Sequence, residues 1–552
     1  MKSLVTLLLA VVALASSPSA RAAEDGFLMF GGTISSPAPV EALVARDGRI
    51  VFAGALVEAR QRAAGLREID LKGAAAYPGF IDSHVHLTGV GLREMTLNLD
   101  QTRSVADLVA AVGAWNAAHP GAEPLTGRGW IETHWPEGRF PNRSDLDAIS
   151  ASRPIVLERS DGHALVANGA ALRLAGVTRA TPDPAGGRIE RDAAGEPTGM
   201  LIDNAMGLIA ARLPPLSPAL RREALKRAVD LYASLGWTHA VNMSTESADI
   251  EALVALAAEG ALPIRVDAFM TPEDAGAVLA RGPYADPTGL VRVRGVKLYM
   301  DGALGSRGAA LLAPYSDRPD TAGLLIAEHD ATLAILKQAL KVRAQVAIHA
   351  IGDRGNRLAL DWIAEAFASD PAAAAEVRTA APWRIEHAQI IDPADIPRFA
   401  SLGVVASMQP SHAIGDLYFA PARLGPDRLA GAYAWKALVD TRAYVAGGSD
   451  APVEVGDPRI EYYAAVARKD LAGRSGPDWS PEQALPRATA LGLFTREGGD
   501  AVGDPLMGRL TPGAPADVTV FAADILTIPE AEIPTVKPLL TIVAGRVVFE
   551  GR

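Results

Sequence analysis

The feature that most constrains the fold is a regular alternation of short apolar runs with Ala- and Leu-rich stretches after residue 225. The runs are rich in β-branched residues, as in "QVAIHAIG", whereas stretches such as "PALRREALKRAVDLYASLG" have a helical composition. Seven runs follow residue 225 and one precedes it, at 77–89, 238–244, 263–270, 293–302, 345–352, 383–389, 403–410 and 443–450. Because strands that alternate with helices close into a parallel barrel, we predict an α/β fold, a (β/α)8 TIM-like barrel over residues 76–507.

The first of these runs, "YPGFIDSHVHLTG", carries His84 and His86. Alternate residues of a strand face the same side, so both imidazoles should point the same way at its C-terminal end. That geometry suits chelation of a metal. Taken alone, the stretch is equally compatible with two partly buried polar residues at a strand terminus.

Two regions lie outside the barrel pattern. Short strands and turns occupy residues 24–75, and similar pieces close the chain, so we predict one small β-sandwich domain from residues 23–75 and 508–552. Residues from about 100 to 218 form a single long βα connection, and such connections are usually functional. We interpret it as an inserted cap over the barrel mouth. A disordered insert is the alternative, but apolar segments such as "RPIVLERSDGHALVANGAALRLAG" oppose it.

The amino terminus has the three-part pattern of a cleavable secretory signal, with Lys2, an apolar run to Ala15 and small residues up to Ala22. We expect cleavage after residue 22 and a periplasmic mature protein. A membrane anchor is the alternative, but the run is shorter than the roughly 20 residues that span a bilayer.

The net charge is −11 and becomes −13 without residues 1–22, which contain two basic residues and no acid. An acidic surface argues against nucleic acid or an anionic membrane as a partner, so we expect a small-molecule substrate. A homo-oligomer is compatible with the sequence. The chain has no cysteine, so its core, and metal where one binds, must stabilise it without disulfides.

Further polar residues lie at or near the C-terminal ends of the predicted strands: Lys297, His349, His387 and Asp450. Each has a simple structural explanation when taken singly, such as a hydrogen-bonded core histidine or a lysine paired with Asp301. Together with His84 and His86 they would be a costly set of buried polar groups unless something bound them. A divalent metal is the simplest candidate, because imidazole and carboxylate are ligands that zinc prefers.

The arrangement resembles the amidohydrolase superfamily. The motifs "DGHALVANGAAL", "KLYMDGALGSRGAAL", "IHAIGDRGN", "RIEHAQ" and "GGSDAPV" look like its family 3 branch, the YtcJ-like proteins similar to N-substituted formamide deformylase. The resemblance implies metal ligation by His84, His86, Lys297, His349, His387 and Asp450. It also implies a split β domain and an insertion after the first strand.

The resemblance implies that Lys297 is carboxylated by CO₂, and without such a change its ammonium could not ligate a metal. Burial beside cations lowers a lysine pKa and frees the amine for this addition. The carbamate would bridge two ions, whereas an unmodified Lys297 would favour one ion. A metal-activated hydroxide would attack a polarised carbonyl, and the resemblance implies that Asp450 carries the proton to the leaving nitrogen. The alternative role of Asp450 is a helix cap.

The sequence therefore predicts an exported, metal-dependent hydrolase of a non-peptide C–N bond. Hydrolysis of an ester or lactone C–O bond remains open, as does a non-catalytic metal-stabilised binding protein. The resemblance places the His163 motif near the substrate, although a surface loop is the alternative. Weaker candidates for the pocket could equally be core or loop packing; they are Trp130, Trp135, Tyr299, Gln409 and His412. Arg307, in "GSRGAA", could bind a substrate carboxylate or fix the backbone.

Overall fold

The computed structural model describes residues 26–36, 38–476 and 479–551, and the predicted signal at 1–22 lies outside them. Eight parallel strands pair in chain order: Phe80–Val85, Trp237–Thr245, Arg265–Met270, Val291–Tyr299, Gln345–Ala350, Arg384–His387, Val405–Met408 and Val445–Gly447. A parallel bridge between Val85 and Ala451 joins the first strand to the segment after the eighth. The predicted (β/α)8 barrel is confirmed, and we number its strands one to eight in this order.

Helices surround the barrel and pack their apolar faces on it. The helix before the second strand, Pro218–Leu235, begins at proline after the Ser217 cap and ends at Gly236, whose φ of 109° suits glycine. The other barrel helices are Leu87–Met95, Ser247–Ala258, Gly276–Arg281, His329–Val342, Asp353–Ser369, Pro371–Ala380, Ile396–Leu402, Pro410–Asp416, Ala420–Leu424, Trp435–Asp440, Pro458–Ala467, Arg487–Leu493 and Arg496–Ala501.

The ends of the chain build a small β-sandwich. One sheet contains Arg49–Gly54, Ala42–Arg46, Gly26–Phe30 and Arg67–Asp70, in that order, with the helix Leu56–Arg62 beside it. The other sheet combines both ends of the chain, in the order Thr33–Ile34, Ala75–Pro78, Val518–Phe521, Pro538–Val543 and Arg546–Glu550. Residues from both ends share one apolar core, which includes Phe27, Leu43 and Val518.

A folded cap separates the first and second barrel strands. Its sheet has the order Gly187–Arg191, Pro197–Asp203, Ala164–Ala167, Ile155–Arg159, Leu125–Trp130 and Leu97–Asn98. Its helices are Val105–Ala118, Arg143–Asp147, Gly169–Ala175 and Gly207–Ala210. The cap has its own apolar core around Trp130 and Trp135, and Ser160 bonds the Val453 carbonyl at 3.0 Å near the barrel mouth.

A buried ion network closes the opposite end of the barrel. Asp267 on the third strand accepts from Arg292 on the fourth at 2.6 and 2.7 Å, and His239 on the second lies 3.1 Å away. Three consecutive strands are therefore joined at their N-terminal ends by side chains as well as by the backbone ladder. Within the described ranges, none of the helices has the length and apolar character to cross a bilayer.

Candidate metal centre

The structure gathers six side chains at the C-terminal end of the barrel. His84, Lys297, His349 and His387 lie on the first, fourth, fifth and sixth strands, and His86 and Asp450 follow the first and eighth. His84, His349, Lys297, His387 and Asp450 are buried, and the His86 side chain is 30% exposed. The six side chains that were predicted from their strand positions to meet at this end of the barrel do lie together.

Asp450 is the centre of the cluster. Its Oδ1 lies 3.3 Å from His86 Nε2 and 3.4 Å from His84 Nε2, and its Oδ2 lies 3.9 Å from His387 Nδ1. One donor atom each from His84, His387 and Asp450 can be chosen within 4.8 Å of one another. Imidazole nitrogen and carboxylate oxygen at this separation are suited to a shared divalent ion.

Asp450 and His387 both adopt a left-handed backbone. Their φ angles are 57° and 70°, values that residues other than glycine rarely adopt. Such conformations persist where the surrounding structure fixes them, and they concentrate at functional sites. Here they aim the last side chain of the sixth strand and the carboxylate after the eighth strand into the same space.

Neighbouring groups fix which nitrogen of His84 and of His387 faces the cluster. Glu386 Oε2 lies 2.6 Å from His84 Nδ1, and Gln409 Oε1 lies 2.8 Å from His387 Nδ1. Arg384 bonds both oxygens of Glu386 at 2.6 and 3.0 Å, which holds the carboxylate in place. Outer partners of this kind orient metal-binding histidines and leave Nε2 for the ion.

Two buried polar atoms of the cluster lack hydrogen bonds among the described residues: Asp450 Oδ1 and His349 Nε2. Unbonded buried polar atoms are costly, and a divalent ion at the cluster would satisfy Asp450 Oδ1, whereas His349 Nε2 lies 3.6 Å from Asp301 Oδ1. Burial, together with neighbouring cations, lowers the pKa of His84 to about 4 and that of His349 well below its ordinary value. The rings are therefore neutral, as metal ligation requires, and this donor set fits a metal.

Lys297 lies inside the cluster. Its Nζ is 3.3 Å from His84 Nε2, and the side chain is buried. Burial lowers the pKa of Lys297 to about 8, against the opposite effect of Glu386 and Asp450. The neutral fraction of the amine near neutral pH is thus larger than that of an ordinary lysine, although the ammonium still predominates.

Comparison with known proteins agrees with this geometry, since residues 67–549 match the amidohydrolase family. The chain belongs to that family. It is 33% identical over 522 residues to YtcJ of Bacillus subtilis, named as an amidohydrolase, covering 92% of this chain and 96% of YtcJ. It is 26% identical over 529 residues to the N-substituted formamide deformylase of Arthrobacter pascens, covering 92% of this chain and 95% of the deformylase.

A solved structure of an uncharacterized metal-dependent hydrolase from Pyrococcus horikoshii OT3 superposes with a TM-score of 0.74 and 29% identity. The match covers 92% of this chain and 99% of that one. The protein is therefore a metal-dependent amidohydrolase with a barrel of the TIM type.

Two adjoining cavities open onto the cluster of this amidohydrolase. The larger has a volume of about 500 Å³ and is lined by cap and barrel residues, among them His86, His163, Lys297 and Tyr299. The smaller has a volume of about 190 Å³ and is lined by residues such as Arg159, His412 and Glu454. Both share His163, His349, His387 and Asp450, so a ligand at the cluster can extend into either.

His163 reaches the cluster from the cap. Its ring centroid is 5.0 Å from that of His349, and Asp203 Oδ1 lies 2.8 Å from its Nδ1. Asp203, which the sequence did not single out, has a φ of 49° and packs against the loop after the fourth strand, where a Cβ at Gly302 or Gly308 would collide with its carboxylate. The cap histidine is thus held against barrel elements rather than on an open surface loop.

The remaining sequence candidates take different positions. His412 lines the smaller cavity, whereas Gln409 bonds His387. The Arg307 guanidinium bonds Asp317 at 2.8 and 3.2 Å and does not line either cavity.

Tyr299 lines the larger cavity, while Trp130 and Trp135 pack in the cap core. Asp301 does not pair with Lys297. It accepts from the backbone N–H groups of Ala310, Ile351 and Gly352 at 2.8 to 3.0 Å.

Proposed function

We propose that this amidohydrolase cleaves a non-peptide C–N bond of an amide, formamide or N-acyl compound. The observation that carries the proposal is the buried cluster itself, where Asp450 Oδ1 and His349 Nε2 lack hydrogen bonds among the described residues beneath the larger cavity. The 26% identity to N-substituted formamide deformylase supports a C–N bond as the target.

Zinc is the proposed ion, in one or two copies, with His84, His86, His349, His387, Asp450 and a modified Lys297 as ligands. When bound, such an ion lowers the pKa of water and polarises a carbonyl. Lys297 is proposed to add CO₂ at Nζ, forming an N–C bond and releasing one proton. The resulting carbamate is an anion and would attract a metal ion, whereas the ammonium of an unmodified lysine would repel one.

Asp450 is the proposed proton carrier. Burial would raise its pKa, but polar contacts such as that of Oδ1 with His86 Nε2 at 3.3 Å hold it well below its ordinary value, so the carboxylate is ionised at neutral pH. It accepts a proton from the attacking water and delivers it to the leaving nitrogen as the C–N bond breaks. Its central place in the cluster supports this role.

His163 is proposed to orient the substrate from the cap. With Nδ1 engaged by Asp203, its Nε2 is available to a ligand in either cavity. Glu386 and Gln409 are proposed to orient the rings of His84 and His387, and Arg384 to hold Glu386 in place.

We also propose that the protein is exported to the periplasm, which the signal-like pattern at residues 1–22 supports. A small-molecule substrate agrees with two cavities of about 500 and 190 Å³. Expression of the full chain followed by cell fractionation and amino-terminal sequencing would test export, with Ala23 expected as the first residue.

The central experiment is metal analysis of the purified protein, followed by a screen of formamides, N-acyl amines, cyclic amides and matched esters. We expect bound zinc and turnover of an amide class that is lost on chelation and restored by zinc. Turnover of esters alone would replace the C–N assignment by a C–O assignment. Metal binding without any turnover would support a binding protein.

A further inference from the structure

The smaller cavity has an apolar wall and an acidic end. Leu304, Ile351, Phe419 and Val453 supply apolar surface, whereas Asp416 and Glu454 supply carboxylates. Its volume of about 190 Å³ equals that of roughly six waters, enough for a short alkyl chain with a polar head. The cavity adjoins Asp450, so it is placed to receive one substituent of a molecule bound at the cluster.

Among the described residues, the acids at this end form no hydrogen bond with an arginine or a lysine, and His412 Nε2 lies 3.8 Å from Glu454 Oε1. Arg159 also lines the cavity, but its guanidinium is already bonded to Glu132 at 2.8 Å and to Asp161. Asp416 Oδ2 accepts from the Tyr433 hydroxyl and Gln389, both neutral groups. Among the described residues, no hydrogen bond reaches either carboxylate oxygen of Glu454 or the Oδ1 of Asp416.

His412 provides a second, independent indication of a ligand. It is 7% exposed, it lines the cavity, and its buried Nε2 has no hydrogen bond among the described residues. Nε2 lies 3.8 Å from Glu454 Oε1 and 3.6 Å from Asp450 Oδ2, both beyond hydrogen-bonding distance. A group placed among these atoms would satisfy the orphaned nitrogen as well as the acids.

We propose that the smaller cavity is a subsite for an alkylammonium group of the substrate. An ammonium has three N–H donors and no acceptor. Glu454 and Asp416 supply carboxylate acceptors, His412 Nε2 supplies a third acceptor when the ring proton is on Nδ1, and the apolar wall covers the methylenes. The inference deepens the proposed function: the substrates are amides that carry a charged amine a few bonds from the scissile C–N bond.

The electrostatics favour a cation over a neutral group. Burial raises the pKa of Glu454 to about 7, and Asp416 and Asp450 raise it further while His412 opposes them. Burial likewise raises the pKa of Asp416 to about 6. A cation would stabilise both ionised carboxylates. A carboxylate on the ligand would add to the crowded negative charge.

Binding is tested on the full metal-loaded protein at pH 8 by calorimetry, with butylammonium, 1-butanol and butyrate as probes. We expect butylammonium to bind about tenfold more tightly than 1-butanol, and butyrate to bind most weakly. This comparison needs no variant. Equal affinity for butylammonium and 1-butanol would identify a solvent-filled space and overturn the proposal.

The variant Glu454→Gln keeps the side-chain size and removes the charge, so the tenfold preference should disappear. Glu158→Gln is the matched control, because Glu158 lines the larger cavity and not the smaller one. It should leave the preference unchanged. If both variants lose the preference for butylammonium equally, the preference comes from the general negative potential at the barrel mouth. If Glu454→Gln binds butylammonium as tightly as the unaltered protein, the amine binds elsewhere, at the metal. Either result overturns the subsite.

Turnover separates this inference from the proposed function. N-(4-aminobutyl)formamide and N-pentylformamide differ only by NH₃⁺ in place of CH₃, and we expect kcat/KM to favour the first about tenfold in the unaltered protein. Equal turnover of the two would overturn the subsite and keep the hydrolase. Binding of butylammonium that depends on Glu454, without turnover of either formamide, would keep the subsite and count against formamide hydrolysis.

Discussion

Glu386 Oε2 lies 2.6 Å from Nδ1 of His84, and both side chains are fully buried. Burial would raise the pKa of Glu386, but Arg384 and His84 lower it to about 2. The carboxylate therefore stays ionised, accepts from Nδ1 and leaves Nε2 of His84 to face the cluster. A residue outside the group of candidate donors thus decides how a donor histidine on another strand is presented.

Replacing Glu386 with Gln should lower affinity for the metal about 10- to 100-fold, the usual effect of removing an outer partner of a ligand histidine. Competition with a chromophoric chelator measures this. Glu461→Gln is the matched control, because Glu461 is also buried and accepts from the Ser411 backbone at 3.1 Å. Equal metal affinity in the two variants would contradict an orienting role for Glu386.

The barrel and its cluster were predictable because both depend on local patterns. Eight apolar runs with intervening helices indicate the strands, and position at a strand end indicates which side chains meet. Period-two alternation accounts for His84 and His86. The same alternation does not predict that the adjacent residues Glu386 and His387 both serve this site. They do so because the φ of 70° at His387 interrupts the extended backbone.

The individual hydrogen-bond partners of the site residues could not be predicted from the sequence. His84 and Glu386 are 302 positions apart, and no local pattern relates them. Asp301 follows Lys297 at a spacing that predicts a shared face, yet the loops after the fourth and fifth strands supply three backbone donors to it instead. The same limit applies to Arg307, whose partner Asp317 depends on the path of a long loop.

Lys297→Ala should lower the bound metal, with two ions expected in the unaltered protein, and nearly abolish turnover. The physical reason is loss of the proposed bridging carbamate at a position 3.3 Å from His84 Nε2. Metal analysis and single-substrate kinetics measure the two effects. Added short-chain carboxylate should restore part of the activity by occupying the vacated space. Unchanged metal content and rate would eliminate the bridging role.

His163→Ala and Asp203→Asn should each change substrate preference and KM while leaving the metal bound. Because Asp203 holds His163 through the 2.8 Å contact, the double variant should be little worse than the His163 variant alone. A double-mutant cycle on KM for two substrates measures the coupling. Additive effects would mean that Asp203 acts by holding the loop at Gly302 and Gly308 instead. Loss of metal in the His163 variant would place that histidine among the ligands.

Asp267→Asn should destabilise the barrel by about 3–5 kcal/mol at pH 7, because it breaks a buried ion pair with Arg292. Burial would raise the pKa of Asp267, but Arg292 and His239 hold it far below its ordinary value. The ionised form is therefore favoured in the folded state. The stabilisation that ionised Asp267 gives the folded state is fully present above the pKa of about 3.9 in the unfolded chain. It is lost as the pH falls towards the lower pKa of the folded state.

The difference in urea midpoint between the unaltered protein and Asp267→Asn should accordingly be constant from about pH 5 to 8 and shrink below about pH 4. Asp230→Asn is the control, since Asp230 forms an exposed helical pair with Lys226. Such a pair contributes roughly 0.3–0.5 kcal/mol. If Asp267→Asn loses no more stability than Asp230→Asn, the buried network adds little to the free energy of unfolding.

Asp450→Asn tests whether the central carboxylate carries a proton. The amide oxygen can still ligate, so most of the metal should remain, while turnover of an unactivated amide should fall roughly 10²- to 10⁴-fold. The loss should be smaller for activated aryl esters, whose leaving group needs no proton. Asp450→Ala should lose more metal and more rate, because Oδ1 also faces His84 and His86 at 3.4 and 3.3 Å. Wild-type rates on an unactivated amide in Asp450→Asn would leave Asp450 only a structural role and require another group of the cluster to move the proton.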